Sequence, residues 1–334
     1  MSSPPGTMAV LRAAASLPAR LAATSRQHGI SRSSSSSAQG AKLAFEWIVD
    51  GKVIPASENE TVKDKYGDRG VIVFLHGLLG NGKNLRTPAK KLTERLPHLT
   101  ALSLDIRGHG SSASHPAPHT FQSCTQDVIE TLQPLGLVDE RSPVAICGHS
   151  LGGRIALQYS HDLQQSSFNI RSPKQTWILD SVPGTPDPSV HSVIKAISSI
   201  PLPVTSKTDL SKTLKEEYNF NKTIAMWMAS NLKPADGGFE WVFDLDIANE
   251  LLSNFAKQNF HEMIEVVAKE QDVHLVTGGK NREWTDSVVD ALRSIPRQPA
   301  DRFQMHKLEE AGHWVHTDDL EGLLDLMVEA LDRT

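Results

Sequence analysis

Apolar residues along this chain follow two rhythms. Short, nearly unbroken apolar runs at Val71–Leu75, Leu99–Leu104, Val144–Cys147, Trp177–Leu179 and Val273–Thr277 predict strands covered on both faces. Lys42–Val49 and Arg302–Lys307 read as further strands. Between them, apolar positions recur at helical spacing over Arg86–Leu96, Phe121–Leu132, Leu151–Tyr159, the stretch around Ala291, and Leu320–Leu331. Strand and helix in alternation predict a mostly parallel sheet with helices on both faces. From Pro183 to about Met263 the alternation stops. Five prolines (Pro183, Pro186, Pro188, Pro201 and Pro203) precede helical material rich in Met226, Trp227, Met228, Phe239 and Trp241, which reads as a helical lid inserted into the sheet domain. The sequence carries no internal repeat.

Composition divides the chain unevenly. Residues 1–40 contain no Asp or Glu, while Arg12, Arg20, Arg26 and Arg32 give +4. The whole chain has 34 basic and 39 acidic residues, so the remainder has 30 against 39, or −9. An acid-free segment rich in Arg, Ala and Ser, ending in the run Ser33–Ser37, predicts an organelle transit peptide. A mitochondrial leader comes before a plastid one, and the alternative is a cytoplasmic protein with a disordered tail. No apolar run approaches the roughly 18 residues of a membrane span. The overall charge of −5 gives no general attraction to nucleic acid. Cys124 and Cys147 are too few for a disulfide framework and fit a reducing compartment or a lone buried pair.

The most specific chemical signal is Gly148-His149-Ser150-Leu151-Gly152, a G-x-S-x-G turn that follows a predicted strand and opens a predicted helix. A serine hydroxyl is a poor nucleophile and must be held where a base can reach it. Glycines at 148 and 152 leave room for the sharp backbone. A helix beginning after Ser150 aims unpaired N–H groups and its positive dipole end at a developing oxyanion. Leu151 is then a candidate oxyanion donor.

With these residues the chain resembles the α/β-hydrolase superfamily, over about Val71 to Leu331. His76-Gly77-Leu78-Leu79-Gly80 is similar to the family's His-Gly oxyanion loop, which implies that the N–H of Leu78 joins that of Leu151. Asp105-Ile106-Arg107-Gly108-His109-Gly110-Ser111 resembles a turn that is structural in the family. Asp105 and Arg107 are therefore expected to be scaffolding, with His76 and His109 packing the loops. The family order of serine, acid and histidine implies a late general base, and Gly312-His313-Trp314 places it at His313, with His316 as the rival. The acid is left between positions. The slot three residues after Gly278 holds Asn281, which cannot ionise; Glu283 and Asp286 lie nearby but out of register, and Asp180 closes the strand Trp177–Leu179. Asp180 is preferred, with Glu283 or Asp286 as alternatives.

Within the superfamily, Gly278-Gly279-Lys280-Asn281, Gly312-His313-Trp314-Val315-His316 and Gly237-Gly238-Phe239-Glu240-Trp241 are similar to the subfamily of abhydrolase domain-containing protein eleven and related small bacterial acyl-esterases. The resemblance implies an eight-stranded, mostly parallel sheet flanked by helices, with core segments 41–183 and 264–334 and a lid over 184–263. It implies hydrolysis of a carboxylic ester, an acylglycerol or short acyl ester, through a Ser150 acyl-enzyme, with no metal or organic cofactor. Met226, Trp227 and Trp241 are expected to line an acyl pocket, and a lid core would show the same residues. Thioesterase, haloperoxidase or carbon–carbon hydrolase chemistry would use the same residues, and a ligand-binding receptor with a vestigial triad is the non-enzymatic alternative.

Overall fold

The computed structural model of the chain describes residues 41–165, 170–296 and 302–333. The leader expected over residues 1–40 lies outside them. Strands β1 (Phe45–Val49) and β2 (Lys52–Val53) open the described fold, followed by helix α1 (Asn59–Tyr66). Strict alternation then runs through β3 (Gly70–Leu75), α2 (Arg86–Arg95), β4 (Leu99–Leu104), α3 (Phe121–Leu132), β5 (Ala145–His149), α4 (Leu151–Gln165) and β6 (Gln175–Leu179). After β6 come α5 (Pro188–Ser198), α6 (Lys207–Glu216) and α7 (Lys222–Ser230), a hairpin of β7 (Leu232–Ala235) and β8 (Gly238–Trp241), then α8 (Leu245–Ser253) and α9 (Phe260–Val267). The sheet resumes with β9 (Asp272–Gly278), α10 (Asp286–Arg293) and β10 (Phe303–Leu308), and the chain closes with α11 (Val315–Asp318) and α12 (Leu320–Leu331).

Eight strands form one sheet in the order β10-β9-β6-β5-β3-β4-β1-β2. Every neighbouring pair from β10 to β4 is parallel, and only β1 joins antiparallel, to β4 and β2. The apolar runs are continuous because both faces are covered. On β3, Val71, Val73 and Leu75 enter one core with α3 and α4, while Ile72 and Phe74 enter another with α2 and α12. Cys124 and Cys147 fall in these two different clusters as free buried thiols, which overturns their reading as a pair. Burial pushes both thiols well above their ordinary pKa.

The segment between β6 and β9 differs from expectation in one respect. Phe239 and Trp241 lie on β8, not on a helix, because Asp236-Gly237-Gly238 turns the chain back, with Gly237 at φ +82°. Arg154 of α4 ties both ends of this segment to the sheet domain. Its buried guanidinium donates to the carbonyls of Val182 and Gly184 at one end and of Phe255 at the other, and lies over the rings of Phe255 and Phe260.

Candidate active site

The C-terminal ends of β3, β5, β6 and β9 open into a cavity of about 700 Å³ roofed by α5 and α7. Ser150, Asp180, His313 and Leu78 all line it. Ser150 sits between β5 and α4 at φ +52°. Its N–H donates to the Leu179 carbonyl, which pins the turn to β6. The turn is tight enough to need its glycines: a Cβ on Gly148 would strike the Gly152 backbone, and one on Gly152 the carbonyl of Leu75. Among the described residues six non-glycines have positive φ, and three of them (Leu79, Ser150 and Asp180) line this cavity. Backbone strain concentrated where side chains converge is a mark of a functional site.

Asp180 is buried at the end of β6, and its Oδ2 lies 2.8 Å from His313 Nδ1. Three further donors hold the carboxylate: the Gly278 N–H at 2.7 Å, Asn281 Nδ2 at 2.6 Å and Trp284 Nε1 at 2.7 Å. Asn281 fills the slot where an acid was sought, and it grips the carboxylate that the neighbouring strand supplies. Sequence reasoning gave it no part, although an amide in that register is the available signal; Trp284 left no signal. Glu283 lines the cavity half-buried without a hydrogen bond to His313, and Asp286 is exposed at the first position of α10.

The imidazole of His313 is placed by its neighbours. His149 Nε2–H donates to the His313 carbonyl at 2.8 Å, and its ring packs against both His313 and His316. Burial, and then the neighbouring imidazoles of His316 and His313, hold His149 well below the ordinary histidine pKa, so it stays neutral. His316, the rival base, is buried behind His149, and burial drives it to about 3.

The His-Gly loop is fixed from beneath. His76 Nε2 accepts the Ile106 N–H at 3.0 Å, and His109 Nε2 accepts the Leu79 N–H at 3.1 Å. Each ring gives its Nδ1 proton to a carbonyl, Gly77 and Arg107 respectively, so both are neutral; burial takes them to about 4 and about 3. With Leu79 committed to His109, the N–H of Leu78 is left without an acceptor among the described residues, as is that of Leu151 at the first position of α4. Asp105 accepts from Gly82 and Ser111, and Arg107 forms a fully buried ion pair with Asp127, both within the scaffold.

Of the three apolar residues expected in an acyl pocket, only Trp227 lines the cavity, 6.0 Å from the Trp314 ring. Met226 is 57% exposed on the outer side of α7, one residue off the inward stripe. Trp241 is buried behind the cavity, stacked on Phe243. Val190, Val193, Ile224, Leu252 and Phe255 supply the apolar wall in their place.

Residues 72–326 match the model of the alpha/beta hydrolase family. The chain is 26% identical over 268 residues to the sn-1-specific diacylglycerol lipase ABHD11 of Mus musculus, covering 78% of this chain and 80% of that protein. It is 25% identical to the protein of the same name from Danio rerio, over 79% of each chain. Among solved structures, a marine microorganism esterase superposes with a TM-score of 0.64 at 20% identity, covering 86% of this chain and 98% of that one. E-2-(acetamidomethylene)succinate hydrolase superposes with a TM-score of 0.62 at 16% identity, over 79% and 91%. The family model spans most of the described fold, whose parallel sheet carries Ser150 at the end of a central strand, and the chain belongs to the alpha/beta hydrolase family.

Proposed function

We propose that this protein is a serine hydrolase that cleaves a carboxylic ester through an acyl-enzyme. The observation that carries the reading is the Asp180–His313 hydrogen bond at 2.8 Å, in a cavity shared with a strained Ser150. His313 Nε2 takes the proton of the Ser150 hydroxyl as its oxygen attacks the ester carbonyl. Asp180 holds the Nδ1–H tautomer and stabilises the imidazolium. The N–H groups of Leu78 and Leu151 receive the oxyanion, each contributing about 3 kcal/mol to the barrier reduction. Collapse expels the alcohol, which receives the proton from His313. Water then attacks the acyl-enzyme with His313 again as base, releasing the acid and restoring Ser150.

The relatives named as diacylglycerol lipases, together with the apolar wall, support an acylglycerol or another ester with an aliphatic acyl chain. In this reading the segment between β6 and β9 is a lid over the acyl site. Labelling by a fluorophosphonate probe tests the proposal: the native protein should label and hydrolyse nitrophenyl esters, and Ser150→Ala should do neither. A native protein that neither labels nor turns over would favour a ligand-binding role. The leader is proposed to direct import into mitochondria, and a fusion of residues 1–40 to a fluorescent protein that stays cytosolic would contradict it.

A further inference from the structure

The charges lining the cavity are sorted by depth. Its two lining cations, Lys280 and Arg282, are exposed at the mouth, and Lys280 is tied to Glu310 at 2.7 Å. The exposed Asp318 accepts the Gly312 N–H. Farther in, the lining charges are carboxylates alone: Asp180, Asp187 and Glu283. Two of these are committed. Asp180 takes four donors, and Asp187 caps α5 by accepting the Ser189 N–H at 2.7 Å. Glu283 alone has no hydrogen bond or ion pair to its carboxylate among the described residues. Its own N–H donates to Asn281 Oδ1, which fixes the backbone beneath it.

Arg154 lies behind the wall, and its guanidinium is directed at the carbonyls of Val182, Gly184 and Phe255. Burial raises the Glu283 pKa above its ordinary value; the charge of His313 pulls it down, Asp187 and Asp180 push it up, and the charge of Arg154 pulls it down last. His313, Asp187 and Asp180 therefore sense Glu283 electrostatically across the same cavity, and Arg154 senses it from behind the wall. A half-buried charge of this kind is screened less by solvent and salt than a surface one.

We propose that Glu283 is a specificity-determining residue whose free carboxylate, backed by Asp187, restricts the site to esters without negative charge and repels the carboxylate product from His313. This deepens the ester-hydrolase reading and rests on it. The charge acts on both halves of the cycle. An anionic acyl donor meets like charge as it approaches Ser150, and the acid released by deacylation is itself an anion formed beside Glu283. The neutral substrate class and the departure of the product share one cause.

The test compares two esters of equal length, para-nitrophenyl methyl adipate and para-nitrophenyl hydrogen adipate, at about pH 8, where the second is an anion. The native enzyme should prefer the neutral ester by about tenfold in kcat/KM, mostly through KM, as one unit charge at close range in a half-buried site predicts. Near-equal kcat/KM values overturn the proposal without any variant. In Glu283→Gln, which keeps shape and removes charge, the preference should shrink about tenfold and inhibition by hexanoate should strengthen by a similar factor. A preference or a hexanoate inhibition unchanged in this variant assigns the discrimination to the apolar wall and overturns the role of Glu283. Fluorophosphonate labelling separates the two levels. Intact labelling with an unchanged ratio rejects this inference alone, whereas a native protein with neither label nor turnover rejects the ester-hydrolase reading and this inference with it.

Discussion

His313 is pulled in two directions. Burial of the ring by itself lowers its pKa, while the hydrogen bond and charge of Asp180, helped by Glu283 and Asp318, raise it, and the net displacement is upward. A general base must be neutral, so kcat/KM should fall on the acid side with a midpoint above the ordinary histidine value of about 6.5. A pH–rate profile checks this, and a midpoint at or below that value would contradict it. Asp180→Asn should cost about 10³- to 10⁴-fold in kcat. Asn281 makes a sharper prediction possible. Because its amide and Asp180 Oδ2 share a 2.6 Å hydrogen bond beside His313, exchanging the two groups keeps one carboxylate and one amide in the same space. The double variant Asp180→Asn/Asn281→Asp should therefore recover about tenfold or more over Asp180→Asn, the part of a positioned carboxylate's contribution that depends on charge more than on origin. No recovery in steady-state kinetics would place the whole requirement on the β6 position.

At the scale of elements, α4 performs two tasks. Its first residue presents the Leu151 N–H beside Ser150, and three residues on it carries Arg154, which joins the segment between β6 and β9 to the sheet domain at two points. Arg154→Met should lower stability by about 3 kcal/mol, because the carbonyls of Val182, Gly184 and Phe255 lose a buried donor together. Thermal denaturation reads this directly, and a loss under about 1 kcal/mol would mean that water replaces the guanidinium. Gly152→Val acts on the same first turn of the helix. Its side chain would meet the carbonyls of Leu75 and His76 at the C-terminal end of β3, so the elbow cannot close. Fluorophosphonate labelling should fall by about 10²-fold or more even in the fraction that remains folded.

Across the whole molecule, histidines are held neutral in several places at once. Burial takes His76 to about 4 and His109, His274 and His316 to about 3, and it holds His149 well below its ordinary value. The unfolded chain protonates these rings near pH 6.5, so between that value and the folded pKa values the unfolded state binds more protons. Their contribution to stability is therefore fully present above about pH 6.5 and is lost as pH falls toward 4 and then 3. The thermal midpoint should begin to drop at mildly acidic pH, before most carboxylates titrate. A midpoint that stays flat from about pH 7 to pH 5 would contradict the neutral assignments. Two of these rings, His76 and His109, brace the loop that carries Leu78. Loss of activity at acid pH should thus include an irreversible component that follows unfolding, separable from the reversible titration of His313 by return to neutral pH.

The alternating sheet and the elbow were readable in the sequence because each is a local pattern. A strand covered on both faces needs an unbroken apolar run, and a nucleophile turn needs glycines at fixed positions around Ser150. Both bounds coincide with the sequence reading at Leu99–Leu104, Phe121–Leu132 and Leu320–Leu331, the two helices being capped by Thr120 and Asp319, and the other elements differ by a few residues. Contacts between distant residues were not readable. Asp180 and His313 are 133 residues apart, and Asn281 is 101 from the carboxylate it holds. Nothing in local spacing distinguishes an amide that replaces an acid from one that supports an acid on the neighbouring strand. The same limit applied to the wall of the cavity, where Met226 and Trp227 are adjacent in the chain yet only the second faces the cavity. The sequence by itself determined the alternation of strands and helices and which serine sits on a glycine turn. Only the tertiary structure decided which carboxylate meets the histidine, which is left facing the cavity, and which N–H groups remain unpaired, because these depend on how strand ends converge across the sheet.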